Sequence, residues 1–345
     1  MPGAEPSSAI QTNHIAIGDC IETMNAWPAE SVDLVFADPP YNIGYNYDKY
    51  DDRREDDDYV GWTCAWVSAA TRLLKPSGSL YILIGDEYAA ETRVHLKKLE
   101  RKGKLLFRNW IIWHYTFGQN CKSKFNRSHA HLFYCVGSGV YPKKKRETDK
   151  PPVAKFTLKD APFTFNRQEV AIASARQTTY GDRRANPEGK LPDDTWYLRP
   201  QEAMDDGAEL FETDSDTWNV SRLCGTFGER VAWHPCQLPE ALLERIIKVS
   251  SNEGEIVFDP FTGSGTTLAV AARLGRQWLG CELSEEYATK STERIEHVAT
   301  TGKTMRSTQR EKGIEPGKAK KKPEPYRSDR SQVQRAPQGG GLFGN

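Results

Sequence analysis

No two of the seven cysteines, at positions 20, 64, 121, 135, 224, 236 and 281, stand in a Cys-x-x-Cys spacing. Zinc sites and disulfide frameworks draw on closely spaced pairs, so neither is expected, and free thiols fit a reducing cytoplasm. Long apolar runs are also missing. The best of them, Leu80 to Ile84, has the length of a strand and is far too short for a membrane span. No amino-terminal apolar segment of the export type is present, so a soluble protein that stays in the cytoplasm is expected. Overall charge is absent too, with 47 Lys and Arg against 47 Asp and Glu, and it points to no class of partner.

The distribution of charge is more informative. Residues 301–345 hold 11 Lys and Arg against 4 Asp and Glu, a net of +7, which leaves −7 on the first 300 residues. The composition of that tail, rich in Lys, Pro, Gly and Ser, buries no core, and it is expected to be a disordered basic segment. Residues 141–190 are basic, with 12 Lys and Arg against 6 acids, including Lys143, Lys144, Lys145 and Arg146 and the pair Arg183 and Arg184. Residues 191–216 are acidic, with 9 acids against 1 Arg. Neither stretch has sustained apolar periodicity, so 141–230 is expected to be an inserted, loop-rich region.

What is present on either side of it alternates between strand and helix signals. His14 to Asp19, Val32 to Phe36, Ser79 to Ile84, Trp110 to Tyr115, Leu132 to Val136, Gly254 to Asp259 and Trp278 to Glu282 read as strands. Tyr59, Trp62, Trp66 and Leu73 recur at helical spacing, ended by Lys75-Pro76-Ser77-Gly78, and further helices are expected over 20–27, 87–102 and 287–298, after His234 to Pro239 with Leu242, Leu243, Ile246 and Ile247 on one side, and after Pro260 to Thr267 as far as Leu274. Such alternation predicts an α/β fold with a mainly parallel sheet covered on both faces.

Two strand ends carry chemistry. After Val32 to Ala37 comes Asp38-Pro39-Pro40-Tyr41, where two prolines stop both ladder and helix and leave a stiff turn. Asp38 and the Pro39 carbonyl can accept hydrogen bonds from a flat polar molecule, and the Tyr41 ring can stack on it. The other end is Asp259-Pro260-Phe261-Thr262-Gly263-Ser264-Gly265-Thr266-Thr267, a strand, a glycine-rich turn and a helix. Gly263 and Gly265 let backbone approach a ligand, and the helix amino end offers unpaired N–H groups. A phosphate loop would need a lysine here, and the dinucleotide spacing is unmet, so a nucleoside with an amino-acid tail is the better occupant. Glu282, closing the next strand, is placed to accept ribose hydroxyls.

Together, Asp38 to Tyr41 upstream and Asp259 to Thr267 downstream, with Gly18-Asp19, His234-Pro235 and Glu282, resemble the amino-group DNA methyltransferases with the circularly permuted, β-type motif order. The resemblance covers about 14–140 and 230–298. It implies a doubly wound, Rossmann-like methyltransferase fold, with a catalytic domain of 14–140 and 231–300, a target-recognition insertion of 141–230 and the tail 301–345. It implies S-adenosylmethionine as cofactor, with Phe261, Gly263, Ser264, Gly265 and Thr266 around its methionine part beside Asp259, Glu282 on its ribose and Asp19 on its adenine. Leu238 stands where many relatives carry lysine.

On the same resemblance Asp38, Pro39, Pro40 and Tyr41 would methylate the N6 of a flipped-out adenine in double-stranded DNA, with N4 of cytosine as the alternative and a silent nucleic-acid-binding module as a rival of another class. Asn42, Arg127 and the basic residues of the insertion would hold DNA. No metal is required. Gln338 to Phe343 resembles a ligand of the replication sliding clamp, and a homodimer is left open. The loop 42–58, with 7 acids against 3 basic residues, is expected to be mobile, a lid that orders on binding, at odds with DNA approaching there.

Overall fold

Val32–Ala37 is buried at every position, because this strand is central and covered on both faces. Its side chains alternate between two cores. Leu34 and Phe36 enter one, and Val35 and Ala37 the other, each full burial of a Leu or Phe contributing about 1.5–3 kcal/mol. The computed structural model describes residues 10–115, 123, 125, 127–142, 152–157, 160–172, 180–196, 230, 231 and 233–303.

The strands are β1 (His14–Ile17), β2 (Val32–Ala37), β3 (Leu74–Ile84), β4 (Leu105–His114), β5 (His129–Gly137), β6 (Thr195–Trp196), β7 (Ile256–Asp259) and β8 (Gln277–Glu282). They form one sheet in the order β1-β8-β7-β2-β3-β5-β4-β6. All neighbours are parallel except β5, which runs antiparallel to both β3 and β4. Helices α1 (Cys20–Ala26), α2 (Asp56–Leu73) and α3 (Ala89–Arg101) supply one core. Helices α4 (Glu240–Ser250), α5 (Thr266–Arg273) and α6 (Glu285–Thr301) supply the other. The sheet is therefore mostly parallel and doubly wound, as the alternating pattern predicts.

One boundary differs from the sequence reading. Lys75-Pro76-Ser77-Gly78 separates no helix from strand: α2 ends at Leu73 and β3 starts at Leu74. Leu74 pairs with Val32 and Ser79 with Leu34, so the residues between are a bulge in the strand. Proline is tolerated because a bulge leaves its missing N–H unneeded. A Cβ on Gly78 would lie 2.6 Å from the Asp33 carbonyl, and Lys75 Nζ reaches both Asp33 oxygens at 2.9 and 2.8 Å.

Residues 152–157 and 160–172 lie against the sheet and α4. Phe156, Phe163 and Phe165 pack on the α4–α6 core, and Asn166 Nδ2 donates to the Lys248 and Ser251 carbonyls at 2.9 and 3.0 Å. Spaced aromatics can fix a segment on a neighbour's core without any period of their own. No described helix is long and apolar enough to cross a membrane.

Candidate active site

The strand order places the site. β2 runs through α2 to β3 on one side, whereas β7 runs through α5 to β8 on the other. Ligands of open α/β sheets bind outside the carboxyl ends of strands where connections diverge. Asp38 follows β2 and Asp259 ends β7, and these strands are neighbours. A cavity of 1210 Å³ opens there, lined by Asp38 to Tyr41 from one strand end and by Asp259, Phe261, Gly263, Ser264 and Thr266 from the other. Asp19, Asn42, Arg127 and Glu282 also line it. Residues more than 200 positions apart thus share one space. Gly265 stands behind the wall as the residue before α5, Arg183 and Arg184 lie outside the cavity lining, and Lys143 to Arg146 and Gln338 to Phe343 lie outside the described residues.

In the Asp-Pro-Pro-Tyr turn the Tyr41 hydroxyl donates to Asp38 Oδ1 at 2.6 Å. Burial, with the Asp38 charge beside it, pushes the Tyr41 hydroxyl well above its usual range, so it stays a donor. The Tyr59 hydroxyl donates to the Pro40 carbonyl at 2.6 Å. Pro39 lines the cavity between these two anchored residues. The turn is held at both ends and its carboxylate is fixed in direction.

The acidic loop is built rather than loose. Asp52, only 1% exposed, accepts from the backbone N–H of Asn42, Ile43 and Tyr45 at 2.8, 3.2 and 2.9 Å. Asn42, left-handed at φ 58°, donates to the Arg54 carbonyl and the Tyr88 hydroxyl and accepts from Arg54 N–H. Its amide is occupied within the protein, where it staples the loop. Asp56, Asp57 and Asp58 form the first turn of α2, where acids are favoured by the unpaired N–H groups. Most of the acid excess that clashes with DNA approach is therefore structural.

On the other wall, Gly263 and Gly265 have φ of 50° and 75°. A Cβ on Gly263 would meet the His234 ring at 3.0 Å, and one on Gly265 would meet Ser291 Cβ at 2.9 Å. Glycine is required here by backbone conformation and by protein packing, not by ligand approach alone. Glu282 accepts Gly263 N–H at 2.8 Å through Oε2 and Ser284 N–H at 3.0 Å through Oε1. Asp19 caps α1, accepting from Ile21 and Glu22 N–H at 2.8 and 3.1 Å. Arg127 meets Asp86 at 2.8 Å and Glu87 at 3.4 Å, and Arg184 is held by Asp182 at 3.0 Å.

Burial raises Asp259 to about 7, with the Asp38 and Glu282 charges adding, and burial also raises Glu282. The neighbouring charges that shift them are those of other carboxylates, Asp38 and Glu282 on Asp259 and Asp48 on Glu282. Sequence reasoning missed the partner that holds this turn from beneath. Arg294 of α6, buried, donates to the Ser264 carbonyl at 2.8 Å and to Glu240 at 2.9 Å. A lone Arg in an amphipathic helix carries no sequence signal for this.

His234 is 7% exposed, and burial lowers it to about 4. A depressed histidine contributes stability above the unfolded value near 6.5, because the folded form refuses a proton that the unfolded chain accepts. Stability is expected to fall between pH 6.5 and 4 by up to on the order of 3 kcal/mol, and His234→Phe should flatten that slope in urea titrations at several pH values.

A family model described as DNA methylase matches residues 32–293. DNA adenine methyltransferase YhdJ of Escherichia coli (strain K12) is 31% identical over 303 residues, covering 85% of this chain and 86% of that protein. Type II methyltransferase M.HpaI of Haemophilus parainfluenzae is 29% identical over 279 residues, covering 81% and 72%. The solved structure of the cytosine-N4-specific PvuII DNA methyltransferase has the same fold, with a TM-score of 0.50 at 17% identity, covering 85% of this chain and 95% of that one. The chain belongs to the N6/N4 DNA methylase family, the class of protein that its sheet and its two-sided cavity define.

Proposed function

We propose that this DNA methyltransferase transfers a methyl group to the N6 of an adenine flipped out of duplex DNA. The observation that carries the reading is the single cavity shared by the Asp38 to Tyr41 turn and the glycine-rich turn. Asp at position 38 and the adenine activity named for the Escherichia coli relative favour adenine over cytosine.

S-adenosylmethionine fits the second wall by the chemistry of its residues. Asp259 and Glu282 are raised by burial and by neighbouring carboxylates, and a ligand bearing sulfonium and ammonium charges would offset that excess of negative charge where a phosphate would be repelled. Phe261, Gly263, Ser264 and Thr266 would hold its methionine part, with Gly265 shaping the turn, and Glu282 its ribose. The cofactor supplies an electrophilic methyl group on sulfur. Asp259, near 7 without ligand, would ionise as a cation arrives. Cofactor affinity is therefore expected to rise with pH through about 7, with proton release seen by calorimetry in buffers of different ionisation enthalpy.

Asp38 and the Pro39 carbonyl accept the two hydrogens of the exocyclic amine, which turns its lone pair out of conjugation and toward the methyl group. Tyr41, through its bond to Asp38, sets the carboxylate and gives the base a surface to stack on. The negative Asp38 would offset the positive charge on the nitrogen as its bond to the methyl carbon forms and the methyl–sulfur bond breaks, and the surplus amine proton would then pass to solvent. Positioning and fixed electrostatics provide the acceleration. The region 141–230 would choose the DNA sequence, with exposed Arg183 and the run Lys143 to Arg146 available to phosphates and guanine edges. The basic tail would add salt-sensitive affinity, and nucleoid DNA in the cytoplasm is the setting.

Single-molecule sequencing of DNA from cells expressing the protein tests this reading. Modified adenines in a fixed sequence context are expected; modified cytosines, or none with folded protein present, would overturn it.

A further inference from the structure

Asp52 and Asp56 to Asp58 have structural places within the 42–58 loop and the start of α2, whereas Asp48 reaches across the cavity. The loop is folded by Asp52 and Asn42 on the catalytic side, yet its middle is attached to the opposite wall. The Tyr47 hydroxyl reaches Cys236 Sγ at 3.9 Å, and the Tyr47 ring lies 6.3 Å from His234. Asp48 Oδ2 accepts from the Ser284 hydroxyl at 2.6 Å. Ser284 N–H in turn donates to Glu282 Oε1 at 3.0 Å, and Glu282 Oε2 holds Gly263 N–H at 2.8 Å. A chain of bonds therefore runs from the loop of the catalytic half into the glycine-rich turn, and Tyr47, Asp48, Ser284 and Glu282 all line the cavity.

This attachment is held against a cost. Asp48 adds a like charge to Glu282, whose ionised form burial already disfavours. The loop's own fold does not use Asp48, so its reach to Ser284 serves the cavity beneath.

We propose that segment 44–50 is a strap closing over the cofactor side of the cavity, and that Asp48 is a cofactor-positioning residue acting through Ser284 on Glu282. This rests on the reading that the cavity takes an S-adenosyl cofactor. Release of that ligand then requires the Asp48 to Ser284 bond to open. The half that prepares the amine also governs how long the methyl donor stays.

S-adenosylhomocysteine serves as the probe, with its affinity measured by calorimetry and its release by stopped flow. Asp48→Ala is expected to raise both Kd and the release rate about tenfold, the worth of one charge-assisted hydrogen bond. Asp48→Asn keeps an oxygen that accepts the Ser284 hydroxyl and should stay within about threefold of the unaltered protein. Affinity for duplex DNA without cofactor should be the same in all three, since a general collapse of the loop would alter it. An alanine variant with unchanged Kd and release overturns the proposal, as does one that loses DNA affinity along with the ligand. If the unaltered protein does not bind S-adenosylhomocysteine, the reading of the cavity fails first, a different result from failure of the strap.

Discussion

Asp38→Ala is expected to lower kcat for methyl transfer by about 10³-fold, the scale of losing a preorganised polar group at a reacting centre, with cofactor affinity little changed. The asymmetry follows from position. Asp38 lies at the β2 edge of the cavity and accepts the Tyr41 hydroxyl, whereas the residues proposed to hold the cofactor follow β7 or end β8. Removing Asp38 also removes a charge that raises Asp259, so the pH at which cofactor affinity rises should move down. Single-turnover kinetics with labelled methyl donor, beside calorimetry of S-adenosylhomocysteine, separate the two effects. Asp38→Asn keeps an acceptor oxygen and should retain part of the rate.

Arg294→Met is expected to cost about 3–5 kcal/mol of stability, because the buried Glu240 carboxylate loses the guanidinium it is ion-paired with at 2.9 Å. Glu240 is 4% exposed and Arg294 6%. The same substitution removes the donor from the Ser264 carbonyl and from Thr266 Oγ1, so the glycine-rich turn loses its support from α6. Chemical denaturation measures the first effect. Cofactor affinity under conditions where the variant is folded measures the second, and it should weaken. Glu240→Gln with Arg294→Met removes both charges and should recover part of the loss.

The two strand ends were legible because their chemistry is local. Asp38-Pro39-Pro40-Tyr41 and Asp259 to Thr267 each announce a stop, a turn and an acid within a few residues, and the alternation around them gives the parallel sheet. The bonds that hold them are not local. Tyr59 on the Pro40 carbonyl, Arg294 on Ser264 and Asp48 on Ser284 join segments from 19 to 236 positions apart, and such pairs leave no period or spacing to read. The acidic loop shows the difference well. Its composition gives a charge and a lid, while its order comes from Asp52 collecting three N–H groups. Gly263 and Gly265 were recognised as special, but their packing against His234 and Ser291 is visible only in the folded chain. The anchoring of 152–157 and 160–172 by Phe156, Phe163 and Phe165 has no sequence signal for the same reason, since three aromatics in a polar stretch show no partner.

The most direct test is nucleoside mass spectrometry of duplex DNA incubated with the purified protein and S-adenosylmethionine carrying a labelled methyl group. Label in N6-methyldeoxyadenosine, present with the unaltered protein and absent with Asp38→Ala, is the predicted result. Label in N4-methyldeoxycytidine, or equal labelling by the Asp38→Ala protein, would contradict the account.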